Sequence, residues 1–166
     1  MKTSEADPHA LYTYLMAQPP VRQVNPKTQL AFPFSLRPLL AGWNLPFHSP
    51  ATFTPDPMKP AKWNRRAYLV EGLGHCGACH APRNALGAEK ASAQLGGGTA
   101  DRWTAPPLTS ISHAPIPWSE QEPYTYLLSG ISQFHGVAAG SMAPVVKELA
   151  ALPNSDLRTM AVISPR

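Results

Sequence analysis

The sequence predicts an all-α fold of a few short helices joined by long loops, on three observations. Apolar residues recur at helical spacing in several short segments, and no stretch shows the alternation of a half-buried strand. Twenty prolines and 11 glycines among 166 residues leave much backbone outside regular elements. An apolar share of 43% against a charged share of 14% supports a packed core and argues against a disordered tail. No run of about 18 apolar residues occurs, which excludes a membrane-spanning helix within these residues. The net charge of +4 is spread along the chain, with Arg65-Arg66 the only adjacent basic pair, so it marks a solvated surface rather than the clustered stripe of a nucleic-acid binder.

The first helix is predicted over residues 7–18. Asp7 is placed to cap it, Pro8 suits its first position, and Leu11, Tyr14 and Leu15 fall on one face before Pro19-Pro20 stops it. From Pro19 to Pro60, ten of 42 residues are proline, interspersed with Phe32, Phe34, Trp43, Phe47 and Phe53. Large apolar groups of this kind gain free energy by docking, so residues 1–60 read as a helix plus an extended strap, and residues 61–166 as the domain proper. Trp63, Ala67 and Val70 predict a second helix from Pro60, ended or loosened by Gly72 and Gly74. Residues 75–118 read as loop, punctuated by Gly96-Gly97-Gly98, Pro106-Pro107 and Pro115-Ile116-Pro117. Tyr124, Leu127, Leu128 and Ile131 predict a third helix with Ser119 as its cap. A short helix over Ala143–Ala151 and a last one from Ser155-Asp156, with Leu157, Met160 and Ala161 on one face, complete the chain.

Both cysteines lie in Cys76-Gly77-Ala78-Cys79-His80. Three chemistries use this spacing: a redox dithiol, half of a zinc site, and covalent haem attachment. Zinc wants four ligands, and His9, His48, His75, His113 and His135 are scattered without paired spacing. A thioredoxin-like dithiol belongs in a βαβ pattern, and no strands are predicted for one. Haem attachment explains the histidine directly: two thiols three positions apart span the porphyrin vinyl groups, and the next residue projects its imidazole at the iron. A six-coordinate electron carrier needs a second axial ligand, and methionine sulfur raises the reduction potential. Among Met1, Met16, Met58, Met142 and Met160, Met142 is favoured, because Gly140 and Pro144 place it in an irregular segment between two helices. His135 is the competing ligand, and His75 is badly placed to reach the far face.

At these residues the chain resembles a class I c-type cytochrome domain. More narrowly, it is similar to the haem domains of multi-haem cytochrome c subunits that accompany membrane-associated alcohol, gluconate and aldehyde-type dehydrogenases. The resemblance runs from about Trp63 to Ile163, and is most specific over Tyr68–Asn84, Trp103–Thr109 and Gly140–Val146. It implies a cytochrome c-like fold and one haem c held by Cys76 and Cys79. His80 is then the proximal ligand, Met142 the distal one, and Pro106 the residue whose carbonyl accepts the other N–H of the proximal imidazole. The family usually has Pro-Asn-Leu where this chain has Pro106-Pro107-Leu108, so an Asn side chain is missing there. Trp63/Ala67/Val70 are expected to face Leu157/Met160/Ala161, and Trp103, Leu108, Tyr126, Leu127 and Val145 to line the pocket.

In the family, a segment like Asp7–Pro20 closes a preceding haem domain and further haem domains follow, so the chain reads as a fragment covering one haem unit. The expected role is electron transfer, with no catalytic residues. A dehydrogenase subunit is the donor, and a quinone, another cytochrome or an oxidase the acceptor. The resemblance implies the periplasm or the periplasmic face of the inner membrane, with membrane association only through partners or missing segments, although Met1–Glu5 leads into no export signal. Two rivals stand beside this reading: a haem enzyme or sensor with an open sixth position, and a non-haem thiol or zinc protein.

Overall fold

A computed structural model of the chain describes residues 3–48, 51–109, 112, 118–119 and 121–162. Met1, His113, Pro115, Ile116, Pro117 and Ile163, which figure in the expectations above, lie outside the described residues. The chain divides into two compact units, Met1–Thr54 and Pro55–Arg166.

In the first unit, helix α1 covers Ala6–Met16. Ser4 Oγ donates to Asp7 Oδ2 (2.7 Å) and accepts from Asp7 N (3.3 Å), so the start of α1 is held from Ser4. The strap expected to be extended contains a second helix, α2, over Arg37–Phe47. Its physical basis is an apolar stripe, Leu36, Leu39, Leu40, Trp43 and Phe47, at helical spacing. Pro38 is tolerated because it occupies the first turn, whereas Pro46 lies inside the helix one residue from its end and forgoes one backbone bond there. Trp43 and Phe47 sit one turn apart with ring centroids 5.1 Å from each other. The large apolar side chains from Leu11 to Phe47 all lie at the surface of this unit, Val24 being 94% exposed.

The second unit holds the core. Helix α3 (Ala61–Ala67) runs without a break into a π-helical turn, Tyr68–Leu73. Loosening was expected from Gly72 and Gly74. The hydrogen bonds show its form, with Gly74 N donating to Leu69 O at 2.7 Å and Cys76 N to Val70 O at 3.0 Å. Helix α7 (Asn154–Met160) packs on α3, on the π turn and on helix α5 (Gln121–Ser129). Ala67, Leu69, Val70 and Ala161 are buried in this contact region, and Leu157 is the one large side chain among the described residues with no exposed surface. Arg65 grips Asp156 across α3 and α7 through two hydrogen bonds of 3.0 and 2.7 Å. The pair is largely solvated and worth at most about 1 kcal/mol. Arg66 is buried, and its Nε donates to Val162 O at 2.6 Å, two residues beyond the end of α7.

Ser119 caps α5 as the sequence predicts. Glu122 N donates to Ser119 Oγ (3.2 Å), and Ser119 N donates to Glu122 Oε2 (2.9 Å), a reciprocal capping box. The backbone bond from Ser119 holds the Glu122 carboxyl below its ordinary range. Helix α6 covers Met142–Leu149.

The all-α expectation needs correction in one respect: two small antiparallel hairpins are present. Strands β1 (Gly98–Ala100) and β2 (Trp103–Ala105) pair Gly98 with Ala105 and Ala100 with Trp103. Strands β3 (Ile131–Ser132) and β4 (Gly136–Val137) pair Ile131 with Val137. Segments of two and three residues are too short for alternation to register in the sequence. A single helical turn, α4 (Gly77–His80), and a 3-10 turn at Ala91–Ala93 also interrupt what reads as loop.

Leu157→Ala removes the one fully enclosed large side chain of the α3–α7 contact. Its cost is predicted at about 3 kcal/mol, measurable as a lowered denaturant midpoint at unchanged m-value.

Candidate functional site

The site begins where the π turn ends. A Cβ at Gly74 would lie 2.8 Å from Leu69 O and 3.3 Å from Cys76 Sγ, so only glycine lets the chain pass the first thiol so closely. His75 then takes a left-handed conformation (φ 47°) that redirects the backbone into α4. Three bonds close this turn: Ala78 N to His75 O (2.8 Å), His80 N to Cys76 O (2.9 Å) and Ala81 N to Gly77 O (2.9 Å). Helical spacing puts Cys76, Cys79 and His80 on neighbouring positions of one face.

The turn is held from outside by the loop that follows. Arg83 donates from Nη2 to Ala78 O (2.9 Å) and from Nη1 to Gly87 O (2.7 Å). Gly97 N donates to His80 O at 2.8 Å. Strand β1 lies directly on the turn: a Cβ at Gly98 would collide with Cys79 O and lie 2.7 Å from Ala81 O. Strand β2 then leads into Pro106, whose carbonyl accepts a hydrogen bond from His80 Nδ1 at 2.8 Å. A carbonyl only accepts, so the proton sits on Nδ1 and the lone pair on Nε2.

Electrostatics support ligation rather than thiol chemistry. His80 is buried, and burial lowers its pKa against the opposing effect of the Pro106 bond, which leaves the imidazole neutral at pH 7. Burial pushes the Cys76 thiol up, only partly offset by a backbone hydrogen bond and by Arg66. Reactive dithiol cysteines show the reverse shift. Both thiols are free. Among the described residues, no three His, Cys, Asp or Glu side chains gather as a metal site.

Beside Cys76 opens an apolar cavity of about 450 Å³, whose walls include Gly74, Val145, Leu149, Leu152 and Met160. Its size is that of a cofactor or drug-sized ligand site. Met142 is half-buried and is the first residue of α6, rather than lying within an irregular linker. Two contacts join its approach to the β1–β2 hairpin. Ser141 Oγ donates to Asp101 Oδ2, and the Trp103 indole lies on Gly140, where a Cβ would come within 2.6 Å of the ring.

His135, the competing ligand, stacks on Trp118 with ring centroids 3.5 Å apart and planes 12° apart, its side chain 4% exposed. Of the expected pocket residues, Val145 lines the cavity, Trp103 covers Gly140, and Tyr126 meets Trp118 edge-on at 5.7 Å. Sequence reasoning missed Arg83, Asp101 and Ser141. The signal for Arg83 was Asn84 and Gly87 marking a tight turn, in which Asn84 Oδ1 accepts from Leu86 N and Ala88 N. Asp101 and Ser141 are 40 residues apart, and no local pattern joins them.

The donor set is therefore two free thiols, of which Cys76 borders the cavity, and a neutral imidazole whose Nδ1 is committed to Pro106. It fits a covalently attached haem.

No protein-family model matches the chain. Among curated proteins, it is 56% identical over 159 residues to a nicotinate dehydrogenase subunit of Pseudomonas putida, a match of 95% of this chain and 13% of that protein. It is 40% identical over 162 residues to the fructose dehydrogenase cytochrome subunit of Gluconobacter japonicus, covering 94% of this chain and 33% of the relative. It is 39% identical over 158 residues to a diheme c-type cytochrome of Cereibacter sphaeroides, covering 94% and 52%. The chain thus spans about half or less of the length of each of these relatives.

Gly98→Ala forces a methyl group against the carbonyls of the Cys79–Ala81 turn. It is predicted to destabilise the protein by about 1–3 kcal/mol, read as a lowered unfolding midpoint.

Proposed function

Because the chain is homologous, over nearly all its length, to part of the cytochrome c subunits of dehydrogenases, we propose that its second unit is a one-haem electron relay within such a complex. In this reading Cys76 and Cys79 form the two thioether bonds, His80 Nε2 is the proximal ligand and Met142 the distal one. A haem held there by Cys76, Cys79, His80 and Met142 would supply one-electron chemistry.

The residues of the chain do the rest. The Pro106 carbonyl fixes the tautomer and ring orientation of His80 and raises its basicity as a ligand. The β1–β2 hairpin keeps the attachment turn and the Pro106 carbonyl at a set separation. Val145, Leu149 and Met160 provide apolar walls that would favour the less charged iron state. The carrying observation is the His80 Nδ1–Pro106 O bond, since it leaves Nε2 as the nitrogen with a lone pair, in the same short turn as two free thiols. One haem accords with a single Cys-X-X-Cys-His and with a match covering 52% of a diheme relative. We assign the donor to a dehydrogenase subunit, the acceptor to a quinone, another cytochrome or an oxidase, and the location to the periplasmic side of the inner membrane. Among the described residues no helix is long and apolar enough to cross a membrane.

Acid-acetone extraction followed by a pyridine haemochrome spectrum tests the attachment. Covalent haem stays with the polypeptide and gives the spectrum of two saturated side chains, in a ratio of one haem per chain. A colourless polypeptide returns the site to thiol chemistry. Met142→Ala is predicted to keep the haem, lose the long-wavelength sulfur–iron band and lower the reduction potential. A variant that retains the band moves the distal ligand elsewhere, His135 being the first place to look.

A further inference from the structure

We propose that Asp101 and Trp103 are positioning residues for the distal ligand, so that one hairpin sets both sides of the haem site. The inference rests on the one-haem reading. The base of the β1–β2 hairpin is locked to the proximal side, where Gly98 presses on the carbonyls of Cys79 and Ala81 and Pro106 accepts from His80 Nδ1 at 2.8 Å. Its tip and second strand reach the distal side, where Asp101 accepts from Ser141 Oγ and Trp103 covers Gly140. These are the two residues immediately before Met142.

The local geometry is specific to that job. Asp101 and Arg102 have φ of 48° and 67°, as a two-residue hairpin turn requires at both central positions, and this directs the Asp101 carboxylate at the tip. Gly140 has φ 53° and no side chain, which allows the indole to lie on its backbone. Met142 N donates to Ala139 O at 3.1 Å, and α6 starts at Met142 itself. The backbone under the thioether is thus fixed by the hairpin on one side and by the helix on the other. A methionine side chain has three rotatable bonds and adapts its shape readily, so its backbone anchor decides how well the sulfur stays in place. The Ser141–Asp101 pair is exposed, and exposed polar pairs contribute little to global stability. Loss of the clamp should therefore appear in ligation before it appears in folding.

The test uses the haem-loaded protein and follows the sulfur–iron band of the oxidised form with rising pH. Asp101→Ala, Ser141→Ala, their double variant, Trp103→Phe and Trp103→Ala are compared with Thr99→Ala, an exposed residue of the same hairpin. For Asp101→Ala and Trp103→Ala the midpoint of band loss is expected to fall by about one pH unit, a tenfold easier ligand loss. Haem content and unfolding midpoint stay those of the parent in Asp101→Ala. The double variant is expected to lose no more than Asp101→Ala alone, showing that the two side chains act through each other. Midpoints equal to that of Thr99→Ala, or additive effects of Asp101→Ala and Ser141→Ala, overturn the proposal. Should Trp103→Ala fail to fold, Asp101→Ala and Trp103→Phe decide. A parent protein with haem but no sulfur–iron band instead overturns the Met142 assignment on which the proposal stands, and the two failures are thereby told apart.

Discussion

The hydrogen bond from His80 Nδ1 to the Pro106 carbonyl constrains everything around it. It joins residues 26 apart, and the intervening chain is shaped to permit it. Arg83 ties the following loop to the attachment turn, Gly97 N reaches back to His80 O, and Leu108 N donates to Leu95 O. Glycine at position 98 allows strand β1 to lie on the turn, where any side chain would meet backbone oxygen. A single acceptor on a short loop thus determines which imidazole nitrogen keeps its lone pair. The loop can act this way only because it is cross-braced at several points.

The energetics separate holding the fold from holding the site. Burial of Leu157 between α7 and its neighbours carries several times the stabilisation of the solvated Arg65–Asp156 pair. That helix contact also delivers the π turn, and hence Gly74 and Cys76, to the cavity. A π turn carries one residue more than the α-helical turn it replaces, which rotates the residues beyond it relative to the helix. The core therefore supplies a rigid platform and the site itself is built of turns and hairpins. The first unit has no such core among its described residues, since its aromatic and aliphatic side chains lie at the surface.

Legibility in the sequence followed the range of the interactions. The Ser119–Glu122 capping box, the helix from Pro60 and the last helix are local patterns with local causes, and they stand close to where the sequence placed them. The Cys76–His80 motif is compact in the structure as in the sequence, because its thiols and imidazole lie within one helical turn. Helix α2 was obscured by weighing its prolines above the Leu36–Phe47 stripe, although Pro38 falls in the first turn where it is tolerated and Pro46 comes only one residue before the end. The hairpin strands are too short for alternation to register, the π turn shows in the sequence only as loosening at Gly72 and Gly74, and the Asp101–Ser141 contact joins residues 40 apart, for which spacing holds no signal. Resemblance to cytochrome c domains pointed to Pro106, which the residues alone would mark only as a loop stiffener.

The central claim is that His80 offers Nε2 to iron because Nδ1 is committed to Pro106. Nitrogen-15 histidine NMR of the reduced, haem-loaded protein addresses it directly. The His80 Nδ1 should carry a slowly exchanging proton shared with a carbonyl, and Nε2 should carry none. A proton on Nε2, or a bare Nδ1, would contradict the account at its foundation.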